Sequence, residues 1–160
     1  MKKALFLDRD GVINIDYGYV HKIEDFILTN FIIDFCKQYL DDYLIIVISN
    51  QSGIGRGFYD LNDLFILDKY MKELLLRYDI PITASYYCPH HPNEGCMCRK
   101  PNIGLIMQAK EDFDIDLANS ILVGDKMSDL DCGYNAGIGN LIFKKGRYKL
   151  EKRSYHFICI

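Results

Sequence analysis

The sequence predicts an α/β protein built on one parallel sheet with helices on both faces. Three observations point there. Short unbroken apolar runs, at residues 4–7 and 44–48, suit strands covered on both sides. Stretches with apolar residues at helical spacing alternate with such runs along the chain. The chain has 160 residues, 49% apolar and 26% charged, enough to bury a core without disulfides.

The elements follow in order. Residues 4–7 form the first strand. Phe31, Ile32, Phe35, Cys36, Tyr39 and Leu40 recur at helical spacing. Residues 44–48, rich in β-branched side chains, form the clearest buried strand. Asp60 is placed to cap a helix carrying Leu64, Phe65, Leu67, Tyr70, Met71, Leu74 and Leu75. A strand at 82–87 runs into a Cys/His segment. A helix at 104–113, a strand at 120–123, a short helix at 129–136 and a strand at 140–143 complete the alternation. The terminal "SYHFICI" leaves room for an edge strand but not for a helix. Alternating elements of this kind make right-handed crossovers and a Rossmann-like sheet. Ligands then bind beyond the carboxyl ends of the strands.

Composition limits the function. A net charge of -3 argues against broad binding to nucleic acid or anionic membrane. No stretch is long and apolar enough to cross a membrane. The N-terminus turns acidic at Asp8, too early for the apolar region of a signal peptide. Residues 1–160 are therefore expected to be a single cytoplasmic domain with reduced thiols, and the chain is expected to be a monomer. In that setting, clustered cysteines point to metal rather than to disulfides.

Three strand ends carry polar groups. "LDRDGVIN" ends the first strand with Asp8 and Asp10; "ISNQSGIGRG" ends the next with Ser49 and Asn50; "LVGDKMSDLD" supplies Asp125, Lys126 and Asp129. Carboxylates converging at one sheet edge repel unless a cation lies between them. Oxygen ligands suit Mg²⁺. With Lys100, Lys126 and the donors near Ser49, they make a pocket for a phosphoryl group. Alone, each element is also an ordinary turn or helix cap. Their joint placement carries the reading.

Cys88, His90, Cys96 and Cys98 offer three thiolates and an imidazole around one turn, a set that structural zinc prefers. His91 competes with His90 for the fourth place. Cys36, Cys132 and Cys159 lie in apolar or small-residue settings and suit inert packing.

These strings together resemble the haloacid-dehalogenase-type phosphohydrolases. "FLDRDGVIN", "SNQSGIGRG", "CPHHP", "CRKP" and "VGDKMSDL" are similar to the D-glycero-D-manno-heptose 1,7-bisphosphate phosphatases and to their histidinol-phosphatase relatives. The resemblance implies a haloacid-dehalogenase-like core with no large cap domain and with a zinc-stabilised loop. It implies that Asp8 is the nucleophile and Asp10 the general acid and base, with Ser49 and Lys100 on the transferring oxygens. Mg²⁺ would be held by Asp8, the carbonyl of Asp10 and Asp125. Asp129 would orient these groups or simply cap its helix. Zinc would take Cys88, His90, Cys96 and Cys98. Asp16, Gly18, Tyr19, Asn50, Gln51, Ser52, Arg99 and Lys126 would face a phosphorylated sugar substrate. Arg99 would hold the distal phosphate, with Arg56 a weaker candidate. The short interval from Cys88 to Cys96 implies a more open mouth.

The expected reaction is removal of the 7-phosphate from the heptose bisphosphate. Histidinol phosphate is the alternative substrate within the same chemistry. A non-catalytic phospho-receiver also places acids and a lysine at strand ends, but it lacks the proton donor that Asp10 supplies. A zinc-dependent interaction module is a third class. A DNA 3′-phosphatase is disfavoured by the acidic balance.

Overall fold

The computed structural model describes all 160 residues. Six parallel strands form one sheet: β1 (Lys3–Leu7), β2 (Tyr43–Asn50), β3 (Ala84–Cys88), β4 (Ile121–Gly124), β5 (Asn140–Phe143) and β6 (Ile158–Cys159). Their spatial order is β3-β2-β1-β4-β5-β6. Four helices connect them: α1 (Ile32–Lys37), α2 (Leu61–Leu76), α3 (Gly104–Phe113) and α4 (Met127–Ala136).

The side-chain alternation of each strand divides the core in two. Ala4, Phe6, Ile46 and Ile48 pack with Leu105, Ile106 and Ala109 of α3 and Leu130 of α4. Leu5, Leu7, Ile45 and Val47 point to the other face, against Ile32 and Cys36 of α1 and Leu67, Met71 and Leu75 of α2. From β1 the chain winds outward to β2 and β3 on one face. It then crosses back and winds the opposite way through β4 and β5. Adjacent β1 and β4 therefore diverge, and a crevice opens beyond their carboxyl ends.

Most predicted elements are present, with shifted boundaries. The residues around Phe31 to Leu40 give a helix only over Ile32–Lys37, closing in turns that still pack Tyr39 and Leu40 on the core. The last short helix starts at Met127, not at 129, because the Asp129 carboxylate accepts from the Lys126 N–H at 3.1 Å and caps the first turn. The expected terminal edge strand is β6, parallel to β5. Asp60 caps α2 in a reciprocal box with Asp63, at 2.9 and 3.0 Å. No helix is long and apolar enough to cross a membrane.

Candidate active site

The register of β1 brings Leu7 beside Val47 on one side and Val123 on the other. The residues that follow are thereby gathered at one edge. Asp8, Ser49, Lys100, Asp125 and Asp129 are all buried there. Lys100 Nζ lies 2.9 Å from Asp8 Oδ1, 2.7 Å from Asp129 Oδ1 and 2.9 Å from the Ile48 carbonyl. Burial would lower the pKa of this ammonium, but Asp129 and Asp8 outweigh it and hold the lysine charged. Asp8 is pushed up to about 6 by burial and by Asp129, against the pull of Lys100.

Asp125 has no such partner. Both its carboxylate oxygens are buried without a hydrogen bond. Burial, then Asp8 and Asp129, push it up to about 8. The ligand atoms of Asp8, Asp125 and Asp129 lie within 4.8 Å of one another. An orphaned buried carboxylate among other acids fits a hard divalent cation. Gly11 at φ +86° completes the cradle, since a Cβ there would collide with Asp125 Oδ2. Gly124 likewise leaves the space that Asp129 fills.

A recess of about 20 Å³ lies between Asp8, Asp10, Ser49, Asn50, Lys100, Lys126 and Asp129. It adjoins a cavity of about 280 Å³, and the two share Asp10, Asn50 and Lys126 in their walls. The larger cavity also takes in Asp16, Gly18, Tyr19, Gln51, Ser52, Arg56 and Arg99. All the residues expected at the substrate therefore line one space. Arg99 lines this cavity, and its Nη1 is buried without a protein partner.

Three of these residues have work inside the protein. Asn50 accepts from the Lys100 N–H at 3.0 Å and donates to the Lys100 carbonyl at 3.2 Å, fixing that residue's backbone. Gln51 turns its amide to Asp10 and Ser49, 2.9 Å from each. Asp16 accepts from the Gly18 N–H at 2.8 Å and from Tyr148 at 3.1 Å.

Sequence reasoning missed four residues of the cavity wall: Tyr59, Ser128, Arg147 and Tyr148. Arg147 lies 3.6 Å from Asp16, and Lys126 lies over the Tyr148 ring at 4.3 Å. The basic tract "KKGRYK" after β5 was the available signal. Arg9 was also missed. It is buried against Asp10 at 3.1 Å.

Beyond β3, the donors of Cys88, His90, Cys96 and Cys98 converge. Cys88 Sγ lies 3.5 Å from Cys96 Sγ and 3.0 Å from Cys98 Sγ, and His90 Nδ1 lies 3.1 Å from Cys98 Sγ. Of the two histidines, His90 is the one whose ring nitrogen lies among the thiols. His91 Nδ1 accepts from the Asn93 N–H at 3.1 Å, and Glu94 returns to the His91 N–H, so His91 caps a short turn instead. Cys36 and Cys132 are buried, and burial pushes both thiols up to about 12, as inert packing residues require.

A parallel sheet with paired aspartates, a lysine and a further acidic pair at its strand ends is the arrangement of the haloacid-dehalogenase-like hydrolases. A family model described as HAD-hydrolase-like matches residues 97–157. The chain is 52% identical over 141 residues to the D-glycero-alpha-D-manno-heptose-1,7-bisphosphate 7-phosphatase of Campylobacter jejuni, covering 88% of this chain and 81% of the relative. It is 40% identical to the D-glycero-beta-D-manno-heptose-1,7-bisphosphate 7-phosphatase of Haemophilus influenzae, covering 92% and 84%. The fold matches the crystal structure of D,D-heptose 1,7-bisphosphate phosphatase from B. bronchiseptica, complexed with magnesium and phosphate. That match has a TM-score of 0.81 at 31% identity, over 89% of this chain and 80% of that one. The chain belongs to the D-glycero-D-manno-heptose 1,7-bisphosphate phosphatase family, and it is a phosphoric monoester hydrolase.

Proposed function

We propose that residues 1–160 act as one cytoplasmic, monomeric domain that removes the 7-phosphate of D-glycero-D-manno-heptose 1,7-bisphosphate. The observation that carries the reading is the buried set of Asp8, Lys100 and Asp129 in a recess adjoining a cation-lined cavity, with the orphaned carboxylate of Asp125 beside them.

Asp8 attacks phosphorus in line, forming an aspartyl-phosphate as the ester P–O bond breaks. Asp10 passes its proton to the departing alkoxide, a poor leaving group without it. Water then attacks the aspartyl-phosphate, Asp10 takes a proton from that water, and phosphate leaves with Asp8 restored. Ser49 and Lys100 bind the transferring oxygens, and Lys100 also keeps Asp8 ionised. Asp8, Asp125 and the carbonyl of Asp10 would hold Mg²⁺, which supplies charge neutralisation for phosphoryl transfer. Arg99, with Lys126, takes the distal phosphate; a planar guanidinium suits that contact. Asp16, Gly18, Tyr19, Asn50, Gln51 and Ser52 shape the sugar site. Cys88, His90, Cys96 and Cys98 would hold structural zinc, closing the loop that ends in Arg99 and Lys100.

Phosphate release with Mg²⁺ from a panel of sugar phosphates and histidinol phosphate tests this. The highest kcat/KM is expected on the heptose bisphosphate, with the 1-monophosphate as product. Turnover of histidinol phosphate with none of any sugar bisphosphate would overturn it.

A further inference from the structure

Arg9 stands between the two aspartates of the first strand end, and it is only 1% exposed. A buried guanidinium is costly unless its charge and its donors are matched. Its Nη2 lies 3.1 and 3.2 Å from the two oxygens of Asp10, and its Nε lies 3.3 Å from Oδ1. The same Nη2 reaches the Val20 carbonyl at 2.6 Å and Gln51 Oε1 at 3.2 Å, whereas Nη1 is buried without a partner.

Gln51 closes the arrangement from the other side. Its Nε2 donates to Asp10 Oδ2 at 2.9 Å, while its Oε1 accepts from the Tyr59 hydroxyl at 2.5 Å. Asn14 Nδ2 donates to Asp10 Oδ1 at 3.0 Å. The Tyr59 ring is stacked on His21, with centroids 4.7 Å apart. Asp10 thus reaches the cavity wall with both oxygens gripped from behind. The terminal torsion of a free aspartate is broad and loosely held. This one is fixed by donors from three side chains, each of which makes a further hydrogen bond of its own.

We infer that Arg9, Gln51 and Tyr59 are positioning residues that aim the Asp10 carboxyl at the leaving-group oxygen. The inference rests on the reading of Asp10 as the proton carrier. Proton transfer requires hydrogen-bond reach between donor and leaving oxygen, so a slack Asp10 would lose its part of the rate. The loss should fall on esters that need the proton and should spare those that do not.

The test is the rate of aspartyl-phosphate formation in the Mg²⁺-loaded enzyme, by rapid quench, on two esters that carry no sugar and so bypass the contacts of Gln51 in the sugar site. n-Butyl phosphate leaves as an alkoxide and needs the proton. p-Nitrophenyl phosphate leaves as a stable phenolate and does not. Arg9→Met and Gln51→Met are expected to slow the alkyl ester roughly ten- to hundred-fold and the aryl ester less than about threefold. Tyr59→Phe should show the same contrast, weakened. Gln51→Met removes no charge and keeps the volume, so it decides the matter if Arg9→Met does not fold. Equal losses on both esters in Gln51→Met, or no loss, would overturn the inference. Asp10→Asn is the control. If it discriminates between the esters while Gln51→Met does not, positioning is wrong. If Asp10→Asn itself slows both equally, the proton-carrier reading falls, and this inference falls with it.

Discussion

Asp125, with both oxygens buried beside Asp8 and Asp129, is protonated more readily in the fold than in free solution. Its pKa rises from an ordinary 3.8 to about 8, and that of Asp8 to about 6. A carboxyl whose folded pKa is raised stabilises the fold below its unfolded pKa and loses that contribution as pH rises to its folded value. Protein freed of Mg²⁺ but retaining zinc should therefore melt at a lower temperature near about pH 8 than near about pH 5. The rise in Tm on adding Mg²⁺ should grow over the same range, because the cation displaces the proton. A thermal melt series with and without Mg²⁺ checks both. Lys100 serves two acids at once. Lys100→Met leaves Asp8 and Asp129 buried and facing one another, and should cost roughly 3–5 kcal/mol of stability. Phosphatase activity should fall at least about a hundredfold with it. Denaturant unfolding and steady-state assays of the one variant measure the two effects.

The Cys/His loop is an element whose purpose lies just past its end. Asn102 Nδ2 donates to the Cys96 carbonyl at 2.8 Å, and the Gly104 N–H bonds the Met97 carbonyl at 3.1 Å, so the loop is tied to the start of α3. Arg99 and Lys100 sit between those ties. Cys98→Ser should lower bound zinc below one equivalent, lower Tm and reduce kcat, with no rescue by added Mg²⁺. Metal analysis beside calorimetry checks it. In α2, Asp60→Ala removes half of the capping box and should cost about 1 kcal/mol while leaving activity intact. Strands and caps were legible in the sequence because they rest on local pattern. β1 and β2 are unbroken apolar runs, and Asp60 precedes a helical period. The end of α1 was less legible, since the turns after Lys37 are decided by contacts rather than by propensity.

At the scale of the whole molecule, the site exists because the winding reverses between β1 and β4. The reversal collects Asp8, Ser49, Lys100 and Asp125 from four separate stretches of chain. Their identities were readable from motifs; their mutual pairing was not. Asn50 on the Lys100 backbone, Gln51 on Asp10 and Tyr148 on Asp16 bridge residues far apart in sequence, and no periodicity marks them. Arg9 was hidden differently, as the middle letter of a motif whose outer two drew the reading. The cations around the larger cavity, Arg56, Arg99, Lys126 and Arg147, give the otherwise acidic chain a positive pocket suited to a substrate with two phosphate groups. Steady-state phosphate release from D-glycero-D-manno-heptose 1,7-bisphosphate with Mg²⁺, in wild type and in Asp8→Asn, is the decisive measurement. Multiple turnover by wild type and a loss of roughly a thousandfold or more in Asp8→Asn is the expected result. Activity that survives in Asp8→Asn, or stable phosphorylation of wild type without turnover, would contradict it.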